Sequence, residues 1–123
     1  MNAEGETGNS ELTERTFEFA LRIIRLVEAL PKSGSAQVLG RQLLRAGTAV
    51  GANYRAARRA RSRAEFVSRL GIVEEECDET LYWIDLLVAA DSVKQTRVAE
   101  LRGEANELLA IVVASIKTAR RAR

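Results

Sequence analysis

The stretch LGRQLLRAGTAVGANYRAA, residues 39–57, decides the fold. Set on a wheel at about 100° per residue, Leu39, Leu43, Ala46, Val50, Asn53, Tyr54 and Ala57 gather on one side. Arg41, Arg45, Arg55 and Arg59 gather opposite, with Thr48 and Ala52 between them. The pattern predicts an amphipathic helix over residues 36–61 with one apolar stripe and one arginine stripe. Gly47 and Gly51 sit inside it, each about 1 kcal/mol less favourable than alanine in a helix. With Ala49, Ala56 and Ala60 on the flank, they point to close approach of a neighbouring helix.

Upstream, residues 11–30 form a helical pattern with Phe17, Ala20, Leu21, Ile24 and Val27 as the expected core face. Pro31 and the polar residues after it end that helix. Downstream, Ser62 and Glu65 make a capping box, followed by a helix to residue 90. Its expected seam is Phe66, Leu70, Val73, Cys77, Leu81, Ile84 and Val88. Ser92 and Gln95 repeat the capping pattern ahead of a last helix to residue 120, with Leu101, Ala105, Leu108, Val112 and Ile116 as its seam. Short connections favour antiparallel neighbours. The expected fold is therefore all-α, an antiparallel up-down-up-down four-helix bundle over residues 11–120. A small, polar tail over residues 1–10 is expected to be disordered, and a basic tail occupies 121–123.

Apolar residues remain outside these seams. Phe19, Ile23, Leu26 and Leu30 form a second stripe on the first helix, and Ile72, Trp83 and Leu86 lie opposite the third helix's seam. A lone bundle buries one stripe per helix, so Phe19, Ile23, Leu26, Ile72, Trp83 and Leu86 are the expected contacts between copies of the chain.

Composition removes most chemistry. The 123 residues include no histidine and a single cysteine, Cys77. Ser-His and Cys-His nucleophile pairs, histidine-bearing zinc or di-iron sites and an intramolecular disulfide are thereby excluded. The acidic run around Glu75 and Glu79 reads as an ion-pairing or solvated surface, since carboxylate di-metal bundles pair glutamates with histidines. Cys77 reads as a core residue. No catalytic residue, metal site or cofactor is expected, and the chain reads as no enzyme. A membrane span needs roughly 20 apolar residues, and no such run occurs. The N-terminus lacks the charged and apolar regions of a signal peptide, so a cytoplasmic protein is expected.

Net charge is +2 but unevenly spread. Residues 41–69 carry eight arginines against Glu65 alone, residues 71–91 carry seven acids and no base, and residues 117–123 add four positive charges. Arg41, Arg45, Arg55, Arg58, Arg59, Arg61 and Arg63 admit three readings: a surface for RNA or DNA phosphates, an assembly surface meeting the acids of the third helix, or a solvated face. The pattern alone does not separate them. Trp83 reads as an interface anchor, Tyr54 as packing and Asn53 as a hydrogen-bonding core residue.

Residues 42–55 (QLLRAGTAVGANYR), 61–66 (RSRAEF) and 70–76 (LGIVEEE) resemble the small bacterial four-helix-bundle family of 23S rRNA intervening-sequence proteins. The similarity runs from Phe17 to about Arg120. Many members follow the helix-two asparagine with Ile-Ala-Glu-Gly, where this chain has Tyr54, Arg55 and Ala56. The resemblance implies a homo-oligomer, typically a pentamer, and no enzymatic activity. It extends to the accessory proteins of diversity-generating retroelements, basic pentamers that bind nucleic acid and a reverse transcriptase. Nucleic-acid binding through the helix-two arginines is the leading expectation. The alternative is a structural or adaptor assembly recruiting protein partners, with the arginines in subunit contacts.

Overall fold

The computed structural model describes the backbone of residues 3–32 and 34–122, and side chains from residue 11 onward within that range. The chain forms α1 (Ala3–Glu28), α2 (Gly34–Arg58), α3 (Arg63–Ala89) and α4 (Gln95–Arg121). Helix α1 is assigned from Ala3, ahead of the start at residue 11 that the spacing predicts. The side chains of the tail expected to be disordered, residues 1–10, lie outside the described residues. So does Arg123 of the expected basic tail, while Arg121 closes α4. No helix among the described residues is long and apolar enough to cross a membrane.

Each helix packs on the next in the chain, and a thin contact between α1 and α4 closes the ring. The pairs run in opposite senses. Against α1, Gly40 lies beside Leu30, Gly47 beside Ile23 and Gly51 beside Thr16, so one helix ascends as the other descends. Between α3 and α4, Asp85 meets Arg102 while Arg63 reaches the carbonyl of Ala122. The core between them is almost solvent-free, with Phe19, Ile23, Leu43, Val50, Leu70, Val73, Ile84, Leu87, Leu108 and Val112 contributed from all four helices. Burying each such side chain stabilises the fold by roughly 1.5–3 kcal/mol relative to leaving it in water.

The seams expected for α2 and α4 are buried as read, apart from Leu39 and Asn53, which are half-buried. In α3, Leu70, Val73, Cys77, Leu81 and Ile84 are buried, joined by Thr80 and Leu87, while Phe66 and Val88 sit at the edge. Thr80 satisfies its hydroxyl by donating to the Glu76 carbonyl at 2.7 Å.

Helix α1 is turned the other way round. Phe19, Ile23, Leu26 and Leu30 are inside, together with Leu12 and Thr16, whereas Phe17 is 64% exposed and Ala20, Leu21 and Ile24 are partly open. The buried set recurs at 12, 16, 19, 23, 26 and 30, an unbroken four-three alternation of the kind that keeps one face on a partner helix. The physical selector is shape. A Cβ at Gly47 would lie 2.7 and 2.8 Å from the Ile23 side chain, so the bulky β-branched residue fills the space that glycine leaves. The close approach expected at Gly47 and Gly51 is thus the α1–α2 contact. Phe19, Ile23 and Leu26 are consumed by the chain's own core and do not serve contacts between copies.

The turns follow local chemistry. Ser62 caps α3, its hydroxyl accepting from the Glu65 amide at 3.1 Å, and the Glu65 carboxylate accepts from the Arg61 amide at 3.1 Å. The second expected cap is different. Lys94, not Ser92, is the N-cap of α4 and makes no side-chain cap. The Ser92 amide instead donates to the Leu87 carbonyl at 2.9 Å, closing the end of α3 in a Schellman-like turn with Asp91 at φ 59°. A Cβ in this left-handed region is unfavourable. Asp91→Gly is therefore expected to raise stability by about 1 kcal/mol, read as a higher urea midpoint at unchanged slope; a lower midpoint would contradict the strain.

Candidate nucleic-acid interface

Three of the four helix seams carry an arginine–carboxylate bridge. Arg15 of α1 forks onto Glu104 of α4 at 2.7 and 3.0 Å. Arg102 of α4 forks onto Asp85 of α3 at 2.7 and 3.0 Å, which holds that carboxyl below the usual range. Arg45 of α2 bridges Glu76 and Glu79 of α3 at 3.2 and 2.6 Å. The α1–α2 seam has no such bridge among the described residues; its inner side is glycine against Ile23 and Thr16.

On its outer side the small residues leave an open groove of about 580 Å³. Thr13, Thr16, Phe17 and Ala20 of α1 and Thr48, Gly51 and Ala52 of α2 line it, with Arg55, Arg58 and Arg59 at the C-terminal end of α2. Among the described residues no carboxylate lines it. Arg58 donates from Nη1 to the Thr13 hydroxyl at 2.9 Å, tying its guanidinium to α1. The side chains of Arg55 and Arg59 have no hydrogen-bond or ion-pair partner among the described residues, so their donors are unspent. Arg55 and Arg58 also occupy the last turn of α2, where cations are favoured by the helix dipole.

The other expected arginines are distributed less tightly. Arg41, Arg61 and Arg63 are exposed. Arg63 donates to the Ala122 carbonyl, which brings Arg120 and Arg121 at the end of α4 to the same pole of the bundle. Arg45 leans onto the α3 acids, so the stripe read from sequence divides: Arg45 is neutralised within the chain, whereas Arg55 and Arg59 are not. Phe17, expected in the core, is the functional candidate that periodicity missed. Spacing gave no signal, since Phe17, Ala20, Ile24 and Val27 recur as regularly as Phe19, Ile23, Leu26 and Leu30.

Of the expected contacts between copies, Ile72, Trp83 and Leu86 are half-buried on the outer side of α3. Tyr82 beside them is 58% exposed and meets Trp83 edge-on, with ring centroids 5.0 Å apart. The Trp83 indole N–H is buried without an acceptor among the described residues.

Tyr54 packs in the core, and Asn53 donates to the Ala49 carbonyl at 2.9 Å. Cys77 is fully enclosed; burial, with Glu76, Asp78 and Glu74 nearby, pushes its thiol up to about 12. A thiol-specific reagent at about pH 8 is expected to leave the native protein unlabelled and to modify one cysteine after unfolding. Because the native state keeps the proton more tightly, this group's contribution to stability is complete below pH 9 and declines as pH rises towards 12. Rapid labelling of the native protein would contradict that environment. No cluster of three or more metal-ligating side chains occurs among the described residues.

A family model described as 23S rRNA-intervening sequence protein matches residues 8–114, which include both walls of the groove. The chain belongs to this family. A solved relative is a protein with unknown function from the S23 ribosomal protein family of Bacteroides thetaiotaomicron VPI-5482. It is 32% identical, superposes with a TM-score of 0.83, and the match covers 89% of this chain and 97% of that one. No curated protein matches the chain. Within the 23S rRNA-intervening sequence family, then, this member has a four-helix core and an arginine-ended groove along one of its seams.

Proposed function

We propose that this member of the 23S rRNA-intervening sequence family is a non-enzymatic cytoplasmic bundle that associates with copies of itself and binds nucleic acid through the α1–α2 groove. One observation carries the binding: Arg55, Arg58 and Arg59 gather on an open groove that no carboxylate lines among the described residues. Guanidiniums are suited to phosphate because their planar fork gives two parallel hydrogen bonds to it. The absence of histidine and the enclosed, protonated Cys77 support a role without catalysis. Self-association draws on the outer side of α3, where Ile72, Tyr82, Trp83 and Leu86 remain at the surface after the core is filled. Five copies is the number the family resemblance implies.

The test is a titration of labelled RNA and DNA followed by anisotropy, repeated from about 50 to 200 mM salt. Binding that weakens steeply with salt is expected; no salt-sensitive binding at about 50 mM ends this reading. Light scattering at micromolar concentration checks assembly, with a mass several times the 13.6 kDa chain expected and a stable monomer contradicting it.

The adaptor reading, with arginines used between subunits, has one observation in its favour: arginine does meet α3 acid, at Arg45. That pairing, however, lies within one chain and leaves the groove arginines unspent. The adaptor reading predicts that neutralising Arg55, Arg58 and Arg59 dissociates the assembly.

A further inference from the structure

Phe17 is out of place on any account that gives the groove to phosphate alone. An aromatic ring 64% exposed on a small bundle loses the burial that normally stabilises it, and here it stands in the wall of a groove ended by Arg55, Arg58 and Arg59. We infer that the groove takes single-stranded nucleic acid, with an unpaired base stacked on Phe17 and the adjoining phosphates on Arg55 and Arg59. This rests on the nucleic-acid reading above and narrows it.

The size of the site supports the choice. A volume of about 580 Å³ is that of a small-molecule cleft. It admits a splayed base and its sugar, but not the body of a duplex, whose bases are already stacked on one another. A ring beside a cationic groove is the arrangement by which proteins hold single strands, because every base offers a π-face while the backbone follows the charge.

Sequence selectivity should be weak. The Thr48 hydroxyl donates to the Leu44 carbonyl at 2.7 Å, and the Thr16 hydroxyl donates to the Thr13 carbonyl at 3.1 Å. Their protons are therefore occupied by backbone, and Ala20, Gly51 and Ala52 offer no side-chain polar atom to a base edge. The lining thus offers a base edge little beyond the acceptor lone pairs of threonine hydroxyls, which discriminate weakly between bases.

The experiment compares a labelled single-stranded 20-mer with its duplex at about 50 mM salt, for the full chain and for Phe17→Ala, Phe17→Trp and Arg55→Gln/Arg59→Gln. Phe17 lies outside the core cluster, so its variants are expected to keep the fold. The single strand is expected to bind more tightly than the duplex. Phe17→Ala should weaken it by about 5- to 150-fold, the span of base–aromatic stacking, and Phe17→Trp should restore it. The duplex should respond only to the arginine changes. If nucleic acid binds but Phe17→Ala leaves the single strand unchanged, or weakens both forms equally, this inference fails while the nucleic-acid reading stands. If nothing binds, both fail. Displacement of the strand by polyglutamate at equal charge concentration would assign the groove to acidic protein and overturn the inference. So would a fall in particle mass on Phe17→Ala, which would place the ring between subunits.

Discussion

Replacing Arg55, Arg58 and Arg59 together by glutamine is expected to weaken nucleic-acid binding about a hundredfold at ~0.1 M salt. The magnitude follows from counterion release. Each phosphate contact contributes roughly 0.7 to 0.9 to the slope of log affinity against log salt, so losing three flattens that slope by about 2 to 3. All three side chains are exposed at the end of α2 and none supports the core, so the loss is of binding and not of folding. Arg45→Gln is the informative contrast. Arg45 is committed to Glu76 and Glu79, so its removal should change the salt slope little. A triple variant that binds with an unaltered slope would mean that the phosphates sit elsewhere, and an equal effect from Arg45 would mean that the whole stripe acts together.

The second large effect concerns the packing that shapes the groove. Gly47→Ala is expected to destabilise the fold by about 1–2 kcal/mol. Two effects compete. Alanine gains about 1 kcal/mol in helix propensity, but its methyl would stand 2.7 and 2.8 Å from Cγ1 and Cγ2 of Ile23. Ile23 is fully buried and β-branched, with little rotamer freedom to yield. Overpacking of this kind typically costs 1–3 kcal/mol, or about 2–3 kcal/mol in this tight seam. Steric conflict therefore wins, and the melting temperature should fall by roughly 5–10 °C. Gly71→Ala and Gly103→Ala invert the outcome. Nothing lies within 4 Å of a Cβ at either position, so only the propensity gain of about 1 kcal/mol remains. Adding Ile23→Ala to Gly47→Ala should give a loss smaller than the sum of the two, because each relieves the other. Stabilisation by Gly47→Ala alone would show that α1 and α2 are not held this closely.

These two regions also show how far the amino-acid sequence is legible. The seams of α2 and α4 are readable because each has an apolar stripe continuous along the helix, although α4 is apolar nearly all round between Leu108 and Val113. The Ser62–Glu65 cap is readable because its partners are three residues apart. The close α1–α2 approach is readable because glycine inside a helix is unfavourable unless a neighbour uses the space. Helix α1 defeats the same method. It carries two apolar stripes, and which one faces inward is set by the complementary shape of Gly47 and Gly51, a tertiary property. Choosing the stripe with Phe17 both misassigns Phe19, Ile23 and Leu26 to contacts between copies and hides the exposed ring. Ser92 fails as a cap for a related reason: it belongs to the turn that closes α3, and α4 begins beyond it, with Lys94 as N-cap. The arginines show the same limit. Their stripe is periodic, but only the fold distinguishes Arg45, paired with acids, from Arg55, Arg58 and Arg59, gathered on an open groove.

The most direct measurement is amide chemical-shift mapping of the assigned protein while a single-stranded oligonucleotide is added at low salt. The perturbed residues are expected to cluster at 13–20 on α1 and 48–59 along and just past α2, with Phe17, Arg55 and Arg59 among the largest changes. Perturbations centred instead on the Tyr82–Leu86 side of α3, or none at all, would contradict it.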